Sequence, residues 1–208
     1  QTIPDHTAVV FKDKKYTYKE LDEISDKLGR YIASKGIGRE DVVSILIPRC
    51  EYMAIAPMGV IKAGAAYQPL DPTYPKDRLM YMLEDSAAKL LIADRELLPL
   101  VDGYQGPVLF TDEIGQLEDT GAQLTKPQMH DLFILLYTSG STGTPKGVIL
   151  THKGIVNMVN SYNTILKTDT LKSFLSISTV SFDMFAVETF VPLLNGKKVI
   201  LTSNTEQN

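Results

Sequence analysis

The feature that most constrains this chain is a set of short, unbroken apolar runs: VVSILI (42–47), AAYQPL (65–70), KLLIAD (89–94) and LFILLY (132–137). Runs of that length suit strands buried on both faces, which need a sheet with cover on each side. The intervening segments supply it. Residues 51–63 read as a helix bent by Pro57 and closed by Gly64, and Pro75 opens another through Leu79, Met82 and Leu83. RELLPLV (95–101) and PVLF (107–110) repeat the order, and 111–129 reads as a polar connection. The alternation predicts an α/β fold with parallel sheets flanked by helices.

Both ends of the chain extend the pattern. AVVF (8–11) and YTY (16–18), separated by KDKK, suit a hairpin. Thr17 stands three residues before Glu20, the capping-box spacing, and Leu21, Ile24, Leu28 and Ile32 continue at helical intervals towards a stop at Gly36–Gly38. Thr151 is placed to cap a helix with Ile155, Val156, Met158, Val159, Tyr162 and Ile165 on its apolar face, followed by FLSIS (174–178), SFDMFAVETFVPLL (181–194) and KKVILT (197–202) as strand, helix, strand. The polar KTDTLK stretch (167–172) marks a boundary between two expected lobes. The first is an α/β lobe over 44–166; the second, incomplete, comprises 1–43 plus 168–208.

Composition excludes several classes. With 25 acidic and 21 basic side chains the net charge is −4, so no basic face for a nucleic-acid backbone is expected. Lys12, Lys14 and Lys15 read as a solvated turn. Cys50 is the single cysteine; it rules out an internal disulfide, fits a reducing cytoplasmic setting and reads as a small buried hydrophobe. No apolar stretch approaches the roughly 20 residues of a membrane span, and QTIPDHT lacks a signal-peptide pattern, so a soluble, unexported protein without membrane or nucleic-acid partners is expected. His6, His130 and His152 share no ligand spacing with each other or with Cys50, so no metal site is assigned, and His152 reads as ordering a helix start. Asp71, Asp77 and Arg78 read as turn and capping residues.

One segment carries chemistry. YTSGSTGTPKG (137–147) holds three glycines, two serines, three threonines and a lysine between two apolar runs. Gly140, Gly143 and Gly147 free the backbone to turn and expose its N–H groups, the hydroxyls add donors, and Lys146 adds a mobile charge: a cradle for phosphate oxygens. It is neither G-x-x-x-x-G-K-[ST] nor G-x-G-x-x-G, and its donors would come from a loop between two strands. Composition alone leaves a flexible surface loop equally open.

Read with FILL before it and VILTH after it, this segment resembles the phosphate loop of the adenylate-forming enzymes. Three further stretches resemble the peptide-synthetase branch in order: YTYKEL (16–21), IKAGAAYQPLDPTYPKDRL (61–79) and SFDMFAVETF (181–190). The resemblance implies an adenylation domain of a non-ribosomal peptide synthetase. In the implied reaction an amino-acid carboxylate attacks the ATP α-phosphate, releasing pyrophosphate, and the aminoacyl group then passes to the phosphopantetheine thiol of a separate peptidyl carrier domain. By match to the family loop, Thr138, Ser139, Gly140, Ser141, Thr142, Gly143 and Lys146 contact the β- and γ-phosphates.

The resemblance also assigns Asp183 to the α-ammonium of an amino acid, a carboxylate that would be left unpaired opposite an acid lacking one. Phe182 matches an aromatic that gates the carboxylate path, and Met184 and Val187 fall at pocket-lining positions. Phe185 departs from the small or hydroxyl residue usual there. Without the resemblance, Phe182, Phe185 and Phe190 read as core and Asp183 as a helix N-cap.

The chain resembles only the N-terminal part of that family. The adenine- and magnesium-binding motif, the ribose-binding aspartate, the hinge and the lid lysine are not found in it, so magnesium ligands are expected elsewhere, no catalytic residue is assigned, and the piece alone is expected not to adenylate. Two other readings stay open: an acyl- or aryl-CoA ligase portion, and a non-catalytic nucleotide-binding module.

Overall fold

The computed structural model describes residues 3–139 and 144–203. The apolar runs form the strands. β3 (Val42–Leu46), β4 (Ala66–Pro69), β5 (Leu90–Ala93), β6 (Val108–Phe110), β7 (Leu132–Thr138) and β8 (Lys146–Thr151) make one six-stranded sheet in the order β6-β5-β3-β4-β7-β8. All neighbours are parallel except β7 and β8, which form an antiparallel edge. A second sheet orders β2 (Lys14–Thr17), β1 (Thr7–Phe11), β10 (Lys198–Leu201) and β9 (Ser173–Ser176), with the β1–β2 hairpin antiparallel and the other pairs parallel.

Strand alternation sorts the core into two layers. Val43 and Ile45 of β3, Tyr67 of β4 and Ile92 of β5 face α1 (Tyr18–Ser34) and α2 (Tyr52–Lys62), in a cluster that continues into Val9, Val199 and Leu201 of the second sheet. Val42, Leu46 and Leu91 point the other way, onto Leu79, Met82 and Leu83 of α3 (Lys76–Asp85). Two buried polar groups cross this second layer: Ser44 Oγ donates to Gln68 Oε1 at 2.6 Å, and Gln68 Nε2 donates to the Met82 carbonyl at 3.0 Å. Satisfied in this way, they lock β3, β4 and α3 in one register.

The capping box closes from both sides: Thr17 Oγ1 accepts from the Glu20 amide, and Glu20 accepts from the Thr17 amide at 2.7 Å. α2 continues through Pro57. RELLPLV forms a 3-10 turn over Arg95–Val101 rather than an α-helix. The polar connection over 111–129 begins with a single helical turn, α4 (Thr111–Ile114), where Glu113 accepts from the Phe110 amide. α5 (His152–Leu166) has Thr151 as its N-cap, and KTDTLK forms a 3-10 turn over Thr168–Thr170 after a left-handed Lys167. α6 (Asp183–Leu194) packs on β9 and β10, and its Phe190 meets Phe133 edge-on at 4.9 Å beneath Tyr67.

A single guanidinium joins the ends of the two sheets. Arg49, just past β3, donates to the carbonyls of Thr202 (2.8 Å), Ser178 (2.6 Å) and Ser176 (2.5 Å). Glu188 of α6 completes the lock by accepting from the Ile177 and Ser178 amides and the Ser178 hydroxyl. Replacing Arg49 by Met removes three charge-assisted bonds and is expected to cost about 2–3 kcal/mol, read as a lower urea midpoint at unchanged slope.

His152 opens α5 with its ring edge-on to Phe133 and its Nε2 buried without a partner among the described residues. Burial pushes its pKa down, against the pull of Asp131. The unfolded chain therefore takes up the proton at a higher pH than the folded one, and stability falls as pH drops from about 7 through the depressed value. Denaturant midpoints at pH 7 and pH 5 should show a smaller acid loss in His152→Gln than in the parent protein.

Candidate functional site

The Gly/Ser/Thr-rich segment lies at the tip of the β7–β8 hairpin. Tyr137 pairs with Gly147 and Thr138 with Lys146, so the ends of the segment are strand and only its middle is loop. A Cβ on Gly147 would stand 3.1 Å from Leu135 Cδ1, so a side chain there would require Leu135 to shift by a few tenths of an ångström. Gly140, Ser141, Thr142 and Gly143 lie outside the described residues.

Tyr137 ties the hairpin base to α3. Its side chain is buried, its hydroxyl donates to Asp85 Oδ2 at 2.6 Å, and its ring meets Tyr81 edge-on. Burial first, and the bond to Asp85 second, raise the phenol far above its ordinary pKa, so it stays a neutral donor.

Two other segments converge on this point. The β4–α3 connection is held by Asp71, whose Oδ1 accepts from the Thr73 amide (3.0 Å) and hydroxyl (2.7 Å). Its Oδ2 accepts from Ser181 Oγ at 3.4 Å, which draws the residues before α6 alongside. Phe182 is the N-cap of α6 and makes no side-chain cap bond, so Asp183 is the first helical residue rather than the cap. The helix dipole there favours a carboxylate.

The result is a cleft of about 520 Å³ between the hairpin, the start of α3 and the start of α6. Thr138 and Ser139 form one rim, Ser181, Phe182 and Asp183 the opposite rim, and Tyr74 and Arg78 a third side, over a floor that includes Leu136 and Val148. Four of the residues picked out from sequence therefore share one cavity. Lys146, across the strand pair from Thr138, is exposed and does not line it. Met184 and Val187 do not line it either: Met184 is 43% exposed, and Val187 is packed in the core. Phe185 is also buried, on the core side of α6 with Val180 and Tyr67. A larger hollow of about 850 Å³ lies at the far end of α6, around Tyr18 and Asn195, and contains none of these groups.

Two cleft residues were not picked out as functional from sequence: Arg78, which was read as a turn or capping residue, and Tyr74, which was given no role. The Arg78 guanidinium lies over the Tyr74 ring at 3.8 Å. The available signal was their spacing across the Pro75 helix start, which puts both side chains on one face of the first turn.

Among the described residues no group of three or more His, Cys, Asp or Glu is placed to hold a metal ion, and no helix is long and apolar enough to cross a membrane. Cys50 is half-buried, and burial pushes its thiol up to about 11.

Comparison with known proteins gives this geometry a context. Gramicidin S synthase 2 of Brevibacillus brevis is 37% identical over 100% of the chain, and bacitracin synthase 3 of Bacillus licheniformis 36% over 99% of it. The chain spans only 5% and 3% of those proteins. Among solved structures, the nonribosomal peptide synthetase FmoA3 superposes with a TM-score of 0.87 at 25% identity, over 96% of this chain and 21% of that one. The Klebsiella oxytoca NpsA N-terminal subdomain, bound to 3-hydroxyanthranilyl-AMSN, superposes with a TM-score of 0.85 at 28% identity, over 97% of this chain and 51% of that one. The family model described as AMP-binding enzyme matches residues 1–208, and the chain belongs to that family.

Proposed function

We propose that the chain is the N-terminal portion of an amino-acid-activating adenylation domain, which joins ATP and an amino acid into an aminoacyl-adenylate and pyrophosphate and then passes the acyl group to a carrier-domain thiol. The observation that carries this reading is the shared cleft: the foot of the Gly/Ser/Thr loop at Thr138 and Ser139 faces Phe182 and Asp183 across one cavity. Such chemistry depends on holding two anionic partners in line and neutralising charge, which a loop of amides and hydroxyls supplies without taking part covalently.

The roles follow from position. Ser139 and Thr138, with Gly140, Ser141, Thr142, Gly143 and Lys146 beyond them, bind the β- and γ-phosphates. Asp183, exposed and without an ion pair among the described residues, takes the α-ammonium. Phe182, 61% exposed at the rim, shields the carboxylate path. Met184, exposed on α6, is assigned to side-chain selection, while Val187, packed in the core, supports α6 rather than meeting the substrate. The described residues offer no ligand cluster for magnesium, so no step is drawn through it. Cytoplasmic placement, the carrier partner and its phosphopantetheine belong to the same proposal.

The test is ATP–pyrophosphate exchange by this chain within a whole adenylation domain, across amino acids and matched acids lacking the amino group. Exchange is expected with α-amino acids only, and Asp183→Ala is expected to lower it by about a hundredfold while ATP binding holds. The 208-residue chain alone is expected to give none. Equal exchange with acids lacking the amino group, or an Asp183→Ala variant as active as its parent, would refute the assignment.

A further inference from the structure

The side chain of Arg78 makes no hydrogen bond or ion pair among the described residues, and its Nε is buried without an acceptor among them. A guanidinium presents five donors and stays charged at any physiological pH, so leaving one unsatisfied in a cavity wall is costly unless something arrives to accept from it.

The fold holds this group in place. Pro75 sets the start of α3, the Arg78 amide bonds to the Pro75 carbonyl at 3.0 Å, and the guanidinium is stacked on the Tyr74 ring at 3.8 Å. Stacking fixes the plane of the fork while leaving its edge free to bind. Arg78 shares the cleft with Thr138 and Ser139. Asp183 lines the same cleft without forming an ion pair with Arg78. The two opposite charges therefore stand apart, each available to a different part of an incoming ligand.

We propose that Arg78 is a phosphate-binding residue of this cleft, its stacked guanidinium taking phosphate oxygens beside the loop donors at Thr138 and Ser139. This rests on the proposed function for the identity of the ligands and adds a residue to the site. Phosphate is preferred over a substrate carboxylate because Arg78 stands on α3, the helix that the Tyr137–Asp85 bond ties to the hairpin bearing Thr138 and Ser139, whereas the amino acid is assigned to the rim at Phe182 and Asp183. Two sources share the chemistry: the polyphosphate of a nucleotide and the phosphodiester of a carrier's phosphopantetheine arm.

Calorimetric titration of the 208-residue chain with pyrophosphate, ATP and 4′-phosphopantetheine tests the idea without relying on turnover. The parent chain is expected to bind at least one of them, and Arg78→Met to weaken that ligand by at least about tenfold, the scale of a lost charge-assisted bond. Arg78→Lys, which keeps the charge but not the fork, and Tyr74→Leu, which removes the stacking surface, should fall between. Loss confined to pyrophosphate and ATP assigns Arg78 to the nucleotide, and loss confined to phosphopantetheine assigns it to the carrier arm. No binding of any of the three by the parent chain, or affinities unchanged in Arg78→Met, overturns the proposal. If Arg78→Met fails to fold, unchanged affinity in both Arg78→Lys and Tyr74→Leu overturns it equally. Amino-acid-dependent exchange is a separate measurement, so either result stands whatever becomes of the Asp183 assignment.

Discussion

The cleft exists because Arg49 holds two sheets together at their ends. Its three bonds reach carbonyls at Ser176, Ser178 and Thr202, all on the far sheet or just past its strands. One planar fork reaches all three carbonyls at once, and the Ser176 carbonyl also accepts from the Thr202 amide and hydroxyl. The segment from β9 to α6 is thereby fixed against the end of β3, with Glu188 holding its amides from the other side. Phe182 and Asp183 are the last residues of that segment, so their position opposite the β7–β8 hairpin follows from a bond network that does not itself face the cleft.

The hairpin contributes a different kind of constraint. Phosphate loops that open directly into a helix draw on the dipole of that helix. Here the loop joins two antiparallel strands, and α5 begins only after β8, at His152. The donors at its foot are therefore held by the ladder between Tyr137 and Gly147 and by the Tyr137–Asp85 bond, which anchors the hairpin to α3. Because α3 also carries Arg78, one helix fixes both the loop's foot and the cation beside it. The dipole instead serves Asp183, at the first position of α6.

Much of this was legible from local pattern. The capping box at Thr17 and Glu20, the strands at the four apolar runs, the β1–β2 hairpin and the Thr151 cap all rest on contacts within a few residues, which spacing can reveal. The 3-10 turn at Arg95–Val101 and the single turn of α4 were not, because each is too short for periodicity to develop. Arg49 had no signal either: its acceptors are 127 to 153 residues away in the chain. In the site, Thr138, Ser139, Phe182 and Asp183 were found through motifs. The sequence reading of Val187 as pocket-lining instead met a helix whose core face claims that position along with Phe185 and Phe190.

That last point bears on how α6 divides its labour. Residues 183 and 187 are one helical turn apart, yet one carboxylate is open to the cleft side while the other side chain is packed against the core. The two faces already part within the first turn, where Asp183 and Met184 are exposed and Phe185 and Ala186 are buried. Phe185, where the resembled pattern has a smaller residue, fits this geometry: its bulk fills the core beside Val180 and Tyr67. An aromatic there anchors the first turn more firmly than a hydroxyl, because it buries a large apolar surface beside Tyr67, whose ring meets Phe133 and Phe190. A firmly seated first turn thereby limits how far Asp183, two residues before Phe185, can swing, so the position of the carboxylate at the helix start is set by packing on the opposite face of the same turn.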